Sequence, residues 1–204
     1  WRSFLESAEA VFDGASDEIL NFGDTPGELE AARSRTILVP LTHLGLIQVA
    51  GEDARDFLHN QLTSDINHLV SAQAQHSAWC TAKGRMQVSF LVWPADDAYR
   101  LALAADLEAA TLKRLQMFTL RSRVRLASLS ATRLLLGLAG PQAAEALADA
   151  GLPCPAAAMT VAAGDTAQVL ALDAGRYLLA VAPQDVAELW HRLSLKARPA
   201  GVPA

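Results

Sequence analysis

Apolar and polar residues alternate along the chain with two periods, and these periods predict its helices and strands. A helix is predicted to begin near Gly51, followed at helical spacing by Phe57, Leu58, Leu62 and Ile66. A second helix is predicted from Asp106 to Leu120, with an apolar face of Leu107, Ala110, Leu112, Leu115 and Phe118. β-rich runs predict strands over residues 37–41, 44–49, 75–82, 86–93, 98–104, 123–129 and 133–138.

The residues at the periodic apolar positions should form the core. Those expected to be buried are Phe57, Leu58, Leu62, Val88, Phe90, Val92, Leu112, Leu115, Leu136, Leu138 and Leu147. Near the N-terminus, residues 1–12 are expected to form a short amphipathic helix. Residues 13–35 are rich in Gly, Asp, Ser and Glu, and they predict a mobile connector with one helical turn.

An internal similarity indicates a duplicated unit. The segment Leu46–Ala54, with Leu58 behind it, matches Leu135–Ala143, with Leu147 behind it. Each is a strand, a glycine hinge and a helix with an Ala/Leu face. We therefore predict an α+β fold of two consecutive modules at residues 36–130 and 131–204, each an antiparallel sheet flanked by helices, after an N-terminal helix and connector at residues 1–35. The alternative is chance similarity between Ala/Leu-rich helices.

Composition narrows the class of protein. The chain has 204 residues, a net charge of −5, 51% hydrophobic residues and no apolar run of membrane-spanning length. The acidic balance does not favour direct nucleic-acid binding. Two distant cysteines and five scattered histidines suggest neither a disulfide framework nor a metal site. No signal peptide is visible, so a cytoplasmic location is expected. Because no initiator Met is present, we expect trimming at this end.

Two groups of cations are candidates for binding anions. Lys83-Gly84-Arg85 forms a predicted turn between two strands, and its alternative interpretation is an ordinary solvated hairpin turn. Arg121, Arg123 and Arg125 alternate along a predicted strand, and no acid occurs between residues 113 and 125. This second group could bind phosphates, a folate polyglutamate tail or RNA. Alternatively, it is a solvated face or pairs with Asp96, Asp97 or Glu108.

Several segments together resemble the YgfZ family of folate-binding proteins, which is related to the aminomethyltransferase (T-protein) of the glycine cleavage system. They are Val49–Leu58, Gln61–Ile66 and Trp79–Trp93, and the resemblance extends over residues 36–195. It implies a T-protein-like fold, tetrahydrofolate or a derivative as cofactor, and an accessory role in iron–sulfur protein maintenance and tRNA modification. The implied partners are folate and iron–sulfur or tRNA-modifying proteins. No association with a membrane is expected.

The resemblance also suggests a binding site. Its expected residues are Leu44, Lys83, Gly84, Arg85 and Arg123. In the T-protein the corresponding turn faces the folate cleft and carries an acid, whereas here it carries Lys83 and Arg85. Leu44 stands where some members present an aromatic ring to the pterin. These departures argue against the alternative function, a folate-dependent aminomethyltransferase, so no catalytic or metal-binding residue is assigned.

The Lys-Gly-Cys-Tyr-x-Gly-Gln-Glu motif that marks the family is absent from the chain. It would follow just beyond the present C-terminus, so the chain is expected to be a fragment or truncated form. A third class of function, a protein-interaction module with a vestigial pocket, also stays open.

Overall fold

The strands and helices fall into two units in this computed structural model, which describes residues 1–14 and 18–201. Unit 1 contains Trp1–Thr42 and Thr132–Ala204, and unit 2 contains His43–Ala131. The helices are α1 (Arg2–Ser7), α2 (Thr25–Ser34), α3 (Ala54–Gln61), α4 (Ala105–Gln116), α5 (Ala143–Asp149) and α6 (Val186–Ser194). The strands are β1 (Val11–Phe12), β2 (Ile19–Asn21), β3 (Ile37–Pro40), β4 (Leu44–Ala50), β5 (Gln75–Cys80), β6 (Met86–Ala95), β7 (Ala98–Ala104), β8 (Arg125–Ser128), β9 (Leu134–Ala139), β10 (Thr160–Ala163), β11 (Ala167–Asp173), β12 (Arg176–Val181) and β13 (Arg198–Pro199).

Unit 2 is built on a five-stranded antiparallel sheet in the order β5-β6-β7-β4-β8. The core lies on one face of this sheet, where side chains of α3 and α4 pack against alternate strand residues. This core includes Ile47, Val49, Phe57, Leu58, Val88, Phe90, Val92, Leu101, Leu103 and Leu115. The hairpin between β5 and β6 carries the Lys83-Gly84-Arg85 turn at one end of the sheet.

Unit 1 is built on a six-stranded sheet in the order β10-β11-β12-β9-β3-β13, with a separate β1–β2 pair. Its strands are antiparallel except for β13, which pairs with β3 in parallel. Aromatic rings at the N-terminus pack against Trp190 of α6: the ring centroids of Trp1, the N-cap of α1, and Phe4 in α1 lie 5.9 Å and 6.4 Å from that of Trp190. Both units therefore have the predicted α+β class, with antiparallel sheets flanked by helices.

The division into units differs from the predicted boundaries at residues 36 and 131. The predicted first module includes β3, but Ile37–Pro40 pairs with β9 in unit 1. Residues 1–42 therefore belong with the C-terminal part of the chain. The physical reason is that β3 is an apolar strand that completes the sheet of unit 1, a pairing that local sequence does not specify.

The predicted duplication appears as the same local geometry in both units. Strand β4 ends at Ala50 and α3 begins at Ala54, while β9 ends at Ala139 and α5 begins at Ala143. The intervening glycines adopt similar positive φ angles, 122° at Gly51 and 131° at Gly140. In each case a helical alanine donates its N–H to the glycine carbonyl, over 3.0 Å and 3.1 Å.

The N-terminal region is more regular than its sequence predicts. Helix α1 ends at Ser7, and Val11–Phe12 pairs with β2 instead of extending the helix. Within the predicted connector, α2 spans ten residues, and the Asp24 side chain caps its start by accepting the Gly27 N–H at 3.2 Å. Residues 15–17 of that connector, with the mobility predicted for them, lie outside the described part of the chain.

The predicted core is confirmed at every position except Leu112, which is half-buried. The predicted face of α4 is partly wrong, because Leu107 and Phe118 are exposed while Glu108 and Thr111 are buried. The Glu108 carboxylate fits beside Gly45, which has no side chain, and it accepts a hydrogen bond from the Ser130 hydroxyl at 2.7 Å. No helix among residues 1–14 and 18–201 has the length and hydrophobicity needed to cross a bilayer.

Shortening the side chain of Leu147 should destabilise the protein strongly. Leu147 is 0% exposed in the core of unit 1. Because deletion of buried methyl groups loses their transfer free energy and leaves a cavity, Leu147→Ala should lower the free energy of unfolding by about 2–5 kcal/mol. Urea denaturation followed by circular dichroism measures this loss. In the matched control Leu107→Ala, on the exposed side of α4, the loss should be about 1 kcal/mol or less. Equal losses would contradict the assigned helix faces.

Candidate functional site

The turn between β5 and β6 is held by three hydrogen bonds to Thr81. The Thr81 N–H donates to the Arg85 carbonyl at 2.9 Å, and the Thr81 carbonyl accepts the Gly84 N–H at 2.8 Å. The Thr81 hydroxyl accepts the Arg85 N–H at 3.2 Å. Gly84 adopts a φ of 73°, which closes the turn in the left-handed region that glycine enters without steric cost. The turn thus fixes the backbone on both sides of its two cations.

The charges of this turn are not compensated. Lys83 and Arg85 are exposed, and neither has a carboxylate partner within residues 1–14 and 18–201. The sequence contains no Asp or Glu from residue 66 to residue 95, so the whole β5–β6 hairpin lacks acids. The turn therefore presents two positive charges on a fixed backbone, which suits it to bind a carboxylate or another anion.

Leu44 lies at the same end of the sheet as this turn. It begins β4 and pairs with Ala104 of β7, and β7 in turn pairs with β6 through Ala102 and Leu91. Its side chain is half-buried and points to the opposite face from Gly45, which is next to the buried Glu108. Leu44 therefore supplies an aliphatic contact at this end, but no ring.

Arg123 lies at the other end of β4. Its carbonyl is next to Gly51, which follows β4, so about 20 Å of strand separates it from Leu44. It pairs with Glu52 and Asp53, and its backbone N–H donates to Asp53 at 2.7 Å. These interactions, chiefly the backbone hydrogen bond, hold the pKa of the Asp53 carboxyl below its usual value. The structure does not bring Arg123 to the turn, and its charge is already neutralised.

The predicted alternation of Arg121, Arg123 and Arg125 on one strand is also wrong. Strand β8 begins only at Arg125, so the first two arginines lie in the connection that precedes it. The acids that neutralise Arg123 come from the start of α3, about 70 residues earlier in the chain, and none of the acids considered from the sequence alone is among them.

Sequence reasoning missed a concavity of about 700 Å³ in unit 2. At its wall the Arg55 guanidinium donates to the Tyr99 hydroxyl at 3.1 Å, which raises the pKa of Arg55. Its lining also includes Glu52, Asp56, Asp96 and Asp97. No local signal joins these residues, because they come from the start of α3 and the β6–β7 turn. Its acidic lining makes this concavity a poorer site for an anion than the Lys83-Gly84-Arg85 turn.

The fold and the sequence together define a class of protein. Residues 17–174 match the model of the GCVT N-terminal domain, and the chain belongs to this family. The predicted resemblance is thereby confirmed. The chain is similar in structure to the glycine cleavage system aminomethyltransferase T from Bartonella henselae, with a TM-score of 0.87. That match has 23% identity and covers 98% of this chain and 58% of the other, so it bears on the fold alone.

Two names occur among the similar curated proteins. The tRNA-modifying protein YgfZ of Klebsiella pneumoniae is 31% identical over 140 residues, which are 69% of this chain and 42% of that protein. The aminomethyltransferase of Lysinibacillus sphaericus is 35% identical over 103 residues, which are 50% of this chain and 28% of that protein. The chain thus spans less than half the length of these two relatives, and the function of a whole protein is a matter for proposal.

Proposed function

We propose that this protein binds tetrahydrofolate or a derivative and acts as a non-catalytic accessory protein, like the relatives named tRNA-modifying protein YgfZ. The observation that carries this proposal is the turn of Lys83, Gly84 and Arg85, whose two exposed cations have no carboxylate partner in the described chain. The glutamate end of a folate is anionic, and uncompensated cations on a fixed turn are suited to hold it by charge-assisted hydrogen bonds.

The residues present fit the anionic end of a folate better than its ring. In the proposed site Lys83 and Arg85 donate to carboxylates, while Gly84 leaves open space, with no atom within 4 Å of a would-be side chain. Leu44 would give the pterin ring an apolar contact but no stacking partner. The stacking that is lost would contribute on the order of 1 kcal/mol to the binding free energy. Arg123 lies outside the proposed site, because Glu52 and Asp53 hold it at the far end of β4.

The hairpin offers no group for aminomethyl transfer. Such chemistry needs a carboxylate near the reacting carbon, as a general base or to stabilise an iminium ion. No acid occurs between residues 66 and 95. The alternative function is an aminomethyltransferase, in favour of which stands the 35% identity to the Lysinibacillus sphaericus protein over 103 residues. We favour the accessory role because cations occupy the turn.

The wider role proposed follows from the family resemblance. A folate-binding accessory protein of this kind would support iron–sulfur proteins in the cytoplasm and, through them, tRNA modification. Its protein partners would then be iron–sulfur or tRNA-modifying enzymes. Deletion of the gene for this protein should lower the activity of such enzymes. Reintroducing the wild-type gene should restore that activity.

Calorimetric titration with tetrahydrofolate tests the binding proposal. Residues 1–204 should bind more weakly than about 1 μM, since ligand sites usually bury most of their ligand and this turn is open to water. Micromolar or tighter binding to residues 1–204 would contradict this expectation, and no saturable binding up to about 1 mM would refute the proposed function.

An activity assay separates the two candidate functions. Incubated with tetrahydrofolate and an aminomethyl donor, this chain should release no ammonia and form no methylenetetrahydrofolate, because the hairpin lacks the required carboxylate. A known aminomethyltransferase assayed in parallel provides the positive control. Release of both products in proportion to protein concentration would favour the transferase instead.

A further inference from the structure

Exposed apolar side chains gather around Trp79 on unit 2. Phe118 is 54% exposed, and its ring meets the edge of the buried Trp79 ring at a centroid distance of 6.0 Å. Met117 and Leu120 flank Phe118 and are 64% and 91% exposed. We call Arg114, Met117, Phe118, Leu120 and Arg121 the Trp79 surface.

This surface carries positive charge without nearby acids in the sequence. No Asp or Glu occurs between Glu108 and Glu145, whereas this stretch contains Lys113, Arg114, Arg121, Arg123 and Arg125. Arg123 is neutralised by Glu52 and Asp53, but the other four have no carboxylate partner within residues 1–14 and 18–201. The Arg114 guanidinium lies 5.1 Å from the centre of the Trp79 ring. A cation therefore lies directly beside the apolar residues.

The two features together define the chemistry of a partner. Contiguous exposed apolar residues mark interaction sites, and aromatic, Met and Arg side chains are enriched in protein interfaces. Of the exposed apolar residues here, Met117 and Leu120 have no flat ring on which a nucleobase could stack, and only Phe118 has one. Flexible Met and Leu side chains instead adapt to the apolar side chains of a protein. The unpaired arginines select a negatively charged partner.

We infer that the Trp79 surface is a docking site for an acidic segment of a partner protein, which inserts apolar side chains around Phe118 and places carboxylates on Arg114 and Arg121. This inference is independent of the proposed folate site. A helical segment with apolar residues at every third or fourth position and Glu between them has the required pattern.

Synthetic peptides of about 16 residues test the docking site, a length at which an isolated helix becomes stable enough to bind. The first peptide carries Leu at helical spacing with Glu elsewhere. A second replaces Glu by Lys, a third replaces Leu by Ser, and a single-stranded RNA of similar length is the nucleic-acid probe. Fluorescence anisotropy gives the affinities for the full chain, and amide chemical shifts of the labelled protein locate the site.

Only the acidic apolar peptide should bind, with shifts at Trp79 and residues 114–121. Its affinity should fall at high salt, and both Phe118→Ser/Leu120→Ser and Arg114→Gln/Arg121→Gln should weaken it by about tenfold or more. The control Val70→Ser replaces another apolar residue that is 55% exposed, and the control Arg33→Gln removes an exposed cation; both should leave the affinity unchanged. Circular dichroism checks that each variant is folded.

Three outcomes would overturn the inference. The first is equal binding of the Lys peptide or the Ser peptide. The second is tighter binding of the RNA with the same dependence on the variants, which would make the surface a nucleic-acid site. The third is no saturable binding up to about 1 mM, or binding that the Phe118 and Arg114 variants do not change.

Discussion

Replacing Gly140 with alanine should lower the free energy of unfolding by about 4 kcal/mol or more, at the extreme end of single substitutions. Gly140 adopts a φ of 131°, which L-residues rarely reach. A Cβ atom there would lie 2.3 Å from the Arg35 carbonyl oxygen and 2.5 Å from the Thr36 Cα atom. Because both neighbours are backbone atoms, neither can move without shifting the start of β3. Urea denaturation and expression yield measure the loss.

Gly84→Ala is the matched control, because it is the same substitution at another positive φ. Gly84 has a φ of 73°, but nothing lies within 4 Å of its would-be Cβ. Gly84→Ala should therefore lower the free energy of unfolding by about 1–2 kcal/mol, which is the energy needed to hold alanine in the left-handed conformation. Gly51→Ala should behave like Gly140→Ala, since its Cβ would lie 2.1 Å from the Arg123 carbonyl oxygen. Similar losses for Gly140→Ala and Gly84→Ala would show that the close backbone approach does not matter.

Removing both charges of the β5–β6 turn should weaken tetrahydrofolate binding on the order of 100-fold. Hydrogen bonds to charged groups contribute about 1.5–3 kcal/mol each, and Lys83→Gln/Arg85→Gln removes two. The turn itself should persist, since Thr81 holds it through backbone atoms and its own hydroxyl. Calorimetry gives the affinities, and complementation of a loss-of-function strain gives the effect in the cell.

The double variant Arg33→Gln/Arg35→Gln is the control for this result. It removes the same charge at the same spacing from exposed positions of unit 1. Its affinity should stay within about twofold of the wild type, because salt screens exposed charges that make no direct contact with a ligand. If the turn variant also kept its affinity and complemented the strain, the proposed site would be refuted, whereas the docking site around Trp79 would be unaffected.

The candidate site shows which of its features can be predicted from the local sequence. The hairpin turn with Lys83 and Arg85 is visible in the sequence, because two β-rich runs flank a glycine between cations. The availability of these charges is not visible there. Arg123 looked equally free, yet Glu52 and Asp53 neutralise it from α3, while no described residue neutralises the turn. Which cation meets which acid depends on contacts between segments distant in sequence.

The sequence by itself determined the elements whose signals are local. Helical and alternating periods placed the core residues, and the similarity of Leu46–Ala54 to Leu135–Ala143 predicted two strand–glycine–helix units. Only the tertiary structure decided that β3 joins β9 in unit 1, that Glu108 is buried on α4 and that α2 fills the predicted connector. The physical reason is that strand pairing and burial are set by partners elsewhere in the chain, whereas periodicity and turn residues act within a few positions.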